Sequence, residues 1–371
     1  MEEADARTGG DTRAGGVFIA PAVVAGMTTV HFGIDDAVVR VGMRGDGGDA
    51  RLLADGTFDV ECLATTDESL LVGTVDAGLV RRPHDRDGRG EGGPADGPGA
   101  GFEPVDGIEQ SRVTSLAVGP DGTCWAGTEP SAVYRSTDGG RTWTELPGLT
   151  DLPSADEWSF PPRPHTHHVR WLEPAPGDPD RLYVGIEAGA FVLATGVTDP
   201  GGVEWHERPP GSRRDNHTLA THSDAPERVY SAAGDGYAES TDGGGTWTGL
   251  MEGLEHRYCW SVAVDPADPD TRVVSAASGA SRAHRAGSAE TYCYRRTGGA
   301  PWERVSDGLP TGEGVLRAVL DAGSAGEFYA IHSEGLYRST DAGGTWSDVD
   351  LGDAWLDRFA TQPPRGLVVD P

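Results

Sequence analysis

The chain has 371 residues, 59 of them acidic and 30 basic, for a formal net charge of −29. So acidic a surface makes nucleic acid and anionic membranes poor partners. All the basic residues are arginine, and lysine is absent.

Residues 1–16 read as a disordered tail. The first residues lack the positive segment of a signal peptide, and the apolar run at 17–27 is short and broken by Pro21 and Gly26. Neither a secretory signal nor a membrane span is expected, and the expected compartment is the cytoplasm. Residues 30–41 resemble a strand hairpin, and 51–53 extend it by one strand. Residues 84–101 are rich in Gly, Asp and Pro and read as a solvated, flexible acidic loop. Short apolar-alternating runs follow, such as 114–118, 181–185, 228–231 and 260–264, bounded by Gly, Pro and Asp. That pattern predicts antiparallel strands. Cys62, Cys124, Cys259 and Cys293 lack metal-ligand spacing and read as reduced thiols.

One segment recurs. Ser136-Thr-Asp138-Gly-Gly140-Arg-Thr-Trp143 returns at Ser240, Asp242, Gly244 and Trp247, and again at Ser339, Asp341, Gly343 and Trp346. A short Ser or Asp side chain bonds the amides of a tight turn, Gly supplies positive φ, and Trp buries a large surface. Looser copies end at Trp205 and Trp302, and Phe102 fits the same frame. The six aromatics are spaced 41, 62, 42, 55 and 44 residues apart, a blade-like period with loop insertions.

The three copies resemble the Asp-box of BNR-repeat β-propellers. That group includes sialidases, sortilin-type receptors, xyloglucanases and photosystem II assembly-factor-type propellers. The resemblance implies an all-β propeller of four-stranded antiparallel blades, with the boxes on the outer rim away from the ligand. Six blades lie between about residues 57 and 350. A seventh arises if residues 30–53 share a blade with a C-terminal strand, either 358–361 or 366–370; six blades is the alternative. The whole chain then forms one domain, expected to be a monomer. The composition resembles that of haloarchaeal proteins, whose acidic surfaces stay hydrated in molar salt, although a GC-rich genome also depletes lysine.

In a propeller, the starts of the innermost strands and the turns between second and third strands share one face. The first group offers Arg112, His167, His168, Arg170, His217, Arg257, Tyr258, Arg317 and Arg358, with Trp158 in a long preceding loop. The second offers Asp76, Glu129, Glu187, Asp235 and Glu334. Three functions fit. A binding or assembly scaffold would take an anionic small molecule, a sugar or an acidic protein segment at an Arg/His-rich mouth. A glycoside hydrolase would pair two acids and stack sugar on Trp158 or Trp171. A metal site would draw on His165, His167, His217 and His222. The scaffold is the leading reading, without a cofactor. Phe18-Ile-Ala-Pro21 lacks the arginine of the sialidase F/Y-R-I-P motif, which argues against a typical sialidase.

Overall fold

The computed structural model describes residue 1 and residues 28–371, apart from 46 and 85–98. Most of the 1–16 tail, the 18–21 segment and nearly all of the 84–101 loop therefore lie outside the described residues.

Seven sheets of antiparallel strands form the blades of one propeller. The first blade is built from both ends of the chain: Pro364–Asp370 lies innermost, followed by Thr29–Ile34, Ala37–Arg44 and Gly47–Asp55. Phe32 pairs with Leu367 and with Val39. The next six blades begin with Val60–Thr65, Arg112–Val118, Val169–Pro174, Asn216–Thr221, Tyr258–Asp265 and Val319–Ala322. Each innermost strand packs on the next, and Pro364–Asp370 contacts Val60–Thr65 to close the ring. The shared blade leaves no open seam between the first and last segments.

Of the two C-terminal candidates, 366–370 is the strand. Residues 358–361 instead belong to the helix Asp353–Thr361. Trp355 and Phe359 stand one turn apart and both pack on Phe32, with ring centroids 6.1 and 5.7 Å away. This i, i+4 aromatic pair explains the helix. The long turn in the sixth blade also contains a short helix, Ala280–His284.

The innermost strands are joined by side chains rather than by backbone ladders. Thr114 Oγ1 donates to Val169 O at 2.6 Å, Thr218 Oγ1 to Trp260 O at 2.9 Å, and Leu320 N to Ser261 Oγ at 3.0 Å. A separate apolar core lies at each blade interface; Val133, Trp125, Leu182 and Val184 form one example. Apolar burial supplies much of the cohesion of these interfaces, and polar pairs are buried there as well, such as Arg272 with Glu239 at 2.6 Å.

The three boxes have one geometry. Ser136 Oγ donates to Asp138 Oδ1 at 2.8 Å and accepts Gly140 N–H at 3.1 Å. Asp138 accepts Thr142 N–H at 2.9 Å and Thr142 Oγ1–H at 2.7 Å. The same set recurs around Asp242 and Asp341 within a few tenths of an ångström. Each box turns from the third to the fourth strand, so antiparallel order places it on the face opposite the innermost-strand starts. Its central glycine also touches the preceding blade: a Cβ on Gly140 would lie 2.7 Å from Leu71, and one on Gly343 would lie 2.7 Å from Val273.

The tails after the outer strands carry a second stitch. A Cβ on Gly308, whose φ is +75°, would lie 1.8 Å from the carbonyl oxygen of Trp346 in the next blade. Gly211 stands under Trp247 and Gly253 under Trp302 in the same way. Cys124, Cys259 and Cys293 are buried, and burial pushes their thiols up to about 12. Among the described residues no helix is long and apolar enough to cross a membrane.

Candidate functional site at the channel mouth

The innermost strands surround a central channel of about 560 Å³. Their first residues form a polar ring at one end because each strand runs away from that face.

Blade by blade, the ring starts with Arg112, which donates from Nη2 to Glu61 at 2.6 Å and holds Nε 3.3 Å from Glu129. Arg163 also grips Glu129, with Nε–H donating to Oε1 at 2.8 Å. Burial pushes the Glu129 carboxyl up, but the two arginines outweigh it and hold the group below its usual range. In the next blade Glu187 lies 3.0 Å from His168 Nε2 and 3.6 Å from Arg170 Nε. Burial opposes its charge, yet His168, His217 and Arg170 bring it down to about 2.

Trp260 is the hub of the mouth. The guanidinium carbons of Arg170 and Arg317 each stand 4.7 Å from its ring centroid. His217 and His284 approach it at 4.7 and 4.6 Å. Burial, with Arg317 adding to it, lowers His284 to about 3, so this imidazole is neutral. Its Nε2 is hydrogen-bonded with the Tyr258 hydroxyl at 3.0 Å.

Arg317 differs from the other mouth cations. It is 7% exposed. Among the described residues its side chain makes one hydrogen bond, from Nη2 to the Pro364 carbonyl at 3.3 Å, and has no carboxylate within 4 Å. Burial, then the positive charges of Arg365 and Arg170, lower it to about 10. Arg365 is itself held by Asp35 at 3.0 Å.

At the far end of the channel, two carboxyls are shifted the other way. Burial pushes Glu173 up to about 7, although Thr221 Oγ1 and Trp171 Nε1 donate to it at 2.8 and 3.3 Å. Burial pushes Asp321 up to about 6 while it accepts Val369 N–H at 2.8 Å. The channel thus runs from a cationic, aromatic mouth to a floor of two acids whose carboxyls burial pushes up toward neutrality.

The sequence candidates divide. Arg112, Arg170, Arg317, His168, His217, Tyr258, Glu129 and Glu187 converge on the mouth. Arg257, Asp76, Asp235 and Glu334 are exposed. Asp235 spends its carboxylate on the Arg214 and Asp215 amides at 3.3 and 3.4 Å. Arg358 does not begin an innermost strand; it sits in the C-terminal helix and pairs with Asp55 at 2.7 Å. Trp158 is not a stacking platform, being 5% exposed in an inter-blade core with Nε1 donating to Ser154. His167 packs edge-on against Trp158 at 5.6 Å.

The four histidines proposed as metal ligands do not converge. His165 is exposed. His217 and His222 flank opposite ends of one strand, about 16 Å apart at 3.3 Å per residue, and His222 bonds Asp265 O and Asp224 N. Sequence reading passed over Trp260, Arg365 and the Glu173–Asp321 floor. The alternation in Trp260-Ser-Val-Ala-Val placed Trp260 in an innermost strand, but only the ring geometry turns it toward the arginines.

The fold and mouth define a seven-bladed β-propeller with a polar ring of side chains at the innermost-strand starts. No protein-family model and no curated protein sequence matches the chain. Its structure is similar to that of a GH74 enzyme from Niastella koreensis, with TM-score 0.63, 19% identity, and coverage of 86% of this chain and 52% of that one. The chain thus spans about half the length of that enzyme. The WD40 propeller of Doa1 aligns with TM-score 0.59 and 15% identity over 84% of this chain and 88% of that one. YCF48 bound to a D1 peptide aligns with TM-score 0.53 and 16% identity over 79% and 82%. At such identities the likeness establishes the fold alone.

Proposed function

We propose that this propeller is a binding scaffold that receives an anionic group, a carboxylate of a small molecule or of an acidic protein segment, between Arg317, Arg170 and Arg365. The carrying observation is Arg317: a buried guanidinium beside two other arginines, without a carboxylate of its own among the described residues. A buried unpaired charge costs several kcal/mol, and an anion in bidentate contact would offset that cost. The Trp260 face would hold the guanidinia in place while the anion is absent. The YCF48 structure, which carries a peptide, offers a precedent for a propeller of this general kind. On this reading the protein works as a monomer in a cytoplasm of high salt.

The glycoside hydrolase reading has less support. Trp158 is withdrawn into the core, and the GH74 likeness extends to fold only.

Calorimetric titration of the full chain with citrate, and with an acidic peptide bearing a free C-terminal carboxylate, tests the proposal. Arg317→Leu should weaken binding by at least about tenfold, or 1.4 kcal/mol. Equal binding by Arg317→Leu, or equal binding of the peptide and its amidated, charge-neutralised counterpart, would overturn it.

A further inference from the structure

We infer that Glu187, Asp215 and His217 form a site for one divalent first-row metal ion of the Zn²⁺ or Mn²⁺ kind. These three residues are distinct from the histidine set that fails to converge, and they share only His217 with it.

Distance comes first. One donor atom from each residue lies within 4.8 Å of the others. His217 Nε2 is 3.7 Å from Asp215 Oδ1. Donors bound at about 2.0–2.2 Å are separated by at most about 4.2 Å across an ion, and by about 3.4 Å in a tetrahedron. The His217–Asp215 pair is within about 0.3 Å of the tetrahedral spacing, and no pair must close by more than about 1.4 Å to reach it.

Protonation comes second. His217 is fully buried. Its Nδ1 lies 2.7 Å from the Cys259 carbonyl oxygen. A carbonyl only accepts, so Nδ1 carries a proton and donates it. Nε2 is then the ring atom left over, and it has no hydrogen-bond partner. It faces Asp215 at a distance too long for a hydrogen bond. A metal ion there would take the Nε2 position and the two carboxylates in place of a proton on Nε2.

Orientation comes third. Metal ligands are commonly fixed by a second partner that sets tautomer and direction. Here each has one. Cys259 O holds His217, Ala188 N–H donates to Asp215 Oδ1 at 2.8 Å, and His168 lies 3.0 Å from Glu187 Oε2. Space is reserved as well: a Cβ on Gly234 would lie 2.0 Å from Asp215 Oδ2. One imidazole with two carboxylates suits first-row divalent ions better than an all-oxygen shell would. Three protein donors leave an ion at least one open position.

The inference does not depend on the anion proposal, because the donors are not the arginines. The test uses the full chain, stripped with a chelator and assayed in molar KCl so that loose adsorption to the acidic surface is screened. Titration with ZnCl₂ and with MnCl₂ should show uptake of one ion per chain by at least one of them. Asp215→Asn, which preserves size and the Ala188 bond, and His217→Gln should each weaken that uptake by at least about 100-fold. His206→Ala, on the outer rim, should leave it unchanged. Co²⁺ absorption bands that appear in the native chain and vanish in Asp215→Asn would show the ion at these donors even if His217→Gln fails to fold. Lack of stoichiometric uptake, or uptake that survives in Asp215→Asn, overturns the inference.

Discussion

The two faces of this ring solve the same problem differently. On the rim, the box turns after Ser136, Ser240 and Ser339 satisfy their amides within eight residues, so one sequence recurs with one geometry. At the mouth, hardly any polar group is satisfied locally. Arg112 reaches Glu61 in the preceding blade, and Arg365 reaches Asp35 across the closing sheet. Local satisfaction permits repetition, whereas partners drawn from several blades require each blade to differ. Repetition therefore marks the scaffold, and its loss marks the mouth at which we propose a ligand is bound.

Five experiments would break or sharpen that contrast. The largest effect is expected from salt. As KCl falls from 1 M to 0.1 M the Debye length grows from about 3 to about 10 Å, and a net charge of −29 begins to repel itself across both faces. The protein should unfold or aggregate, and a melting temperature that stays flat across this range would contradict the halophilic proposal.

Gly308→Ala comes next. Its Cβ meets the Trp346 carbonyl and its φ is left-handed, so a loss of about 3 kcal/mol is expected in denaturant unfolding. Asp242→Ala removes a turn carboxylate whose charge is favoured chiefly by the Thr246 bonds. It should cost about 1–3 kcal/mol while the folded fraction binds ligand normally. A stable variant that has lost binding would move function onto the rim.

The channel floor gives a pH signature. Glu173 is raised from 4.5 to about 7. Its neutral form is compatible with the fold, so stability is fully present below pH 4.5 and is lost as pH rises through about 7. Glu173→Gln should therefore stabilise the protein at pH 8 by about 1–3 kcal/mol and change little at pH 4.5, as pH-dependent melting would show. The smallest effect is expected from Ala342→Gly. Ala342 has φ +59° where the other boxes place Gly139 and Gly243, and relief of that strain should add about 1 kcal/mol.

Fold was legible because its determinants are local. Trp143, Trp247 and Trp346 announce outer strands through the turns that precede them, and the alternation in residues 260–264 sets a strand face. The blade count followed from spacing, and the hairpin at 30–41 lacked only an innermost partner. The choice between 358–361 and 366–370 was less legible, because both are short and partly apolar; the Trp355–Phe359 spacing decides it once Phe32 is known to lie beneath. Convergence of Arg170, Arg317 and His217 could be anticipated from their common position at strand starts. Their roles could not. Whether an arginine meets Glu187, Asp55 or only a carbonyl depends on side-chain reach across blades, and nothing in residues 317 or 358 themselves encodes it.

The shared blade has a consequence for the order of assembly. Thr29–Ile34 is among the first strands to be synthesised, yet its inner neighbour Pro364–Asp370 comes last. Until then the strand has one free edge, and Val60–Thr65 has no companion on one side of the channel. Contacts this remote in sequence close slowly because the intervening chain must first be ordered. Circularity is thus conferred in one late step, by seven residues that act on the ring as a clasp acts on a bracelet.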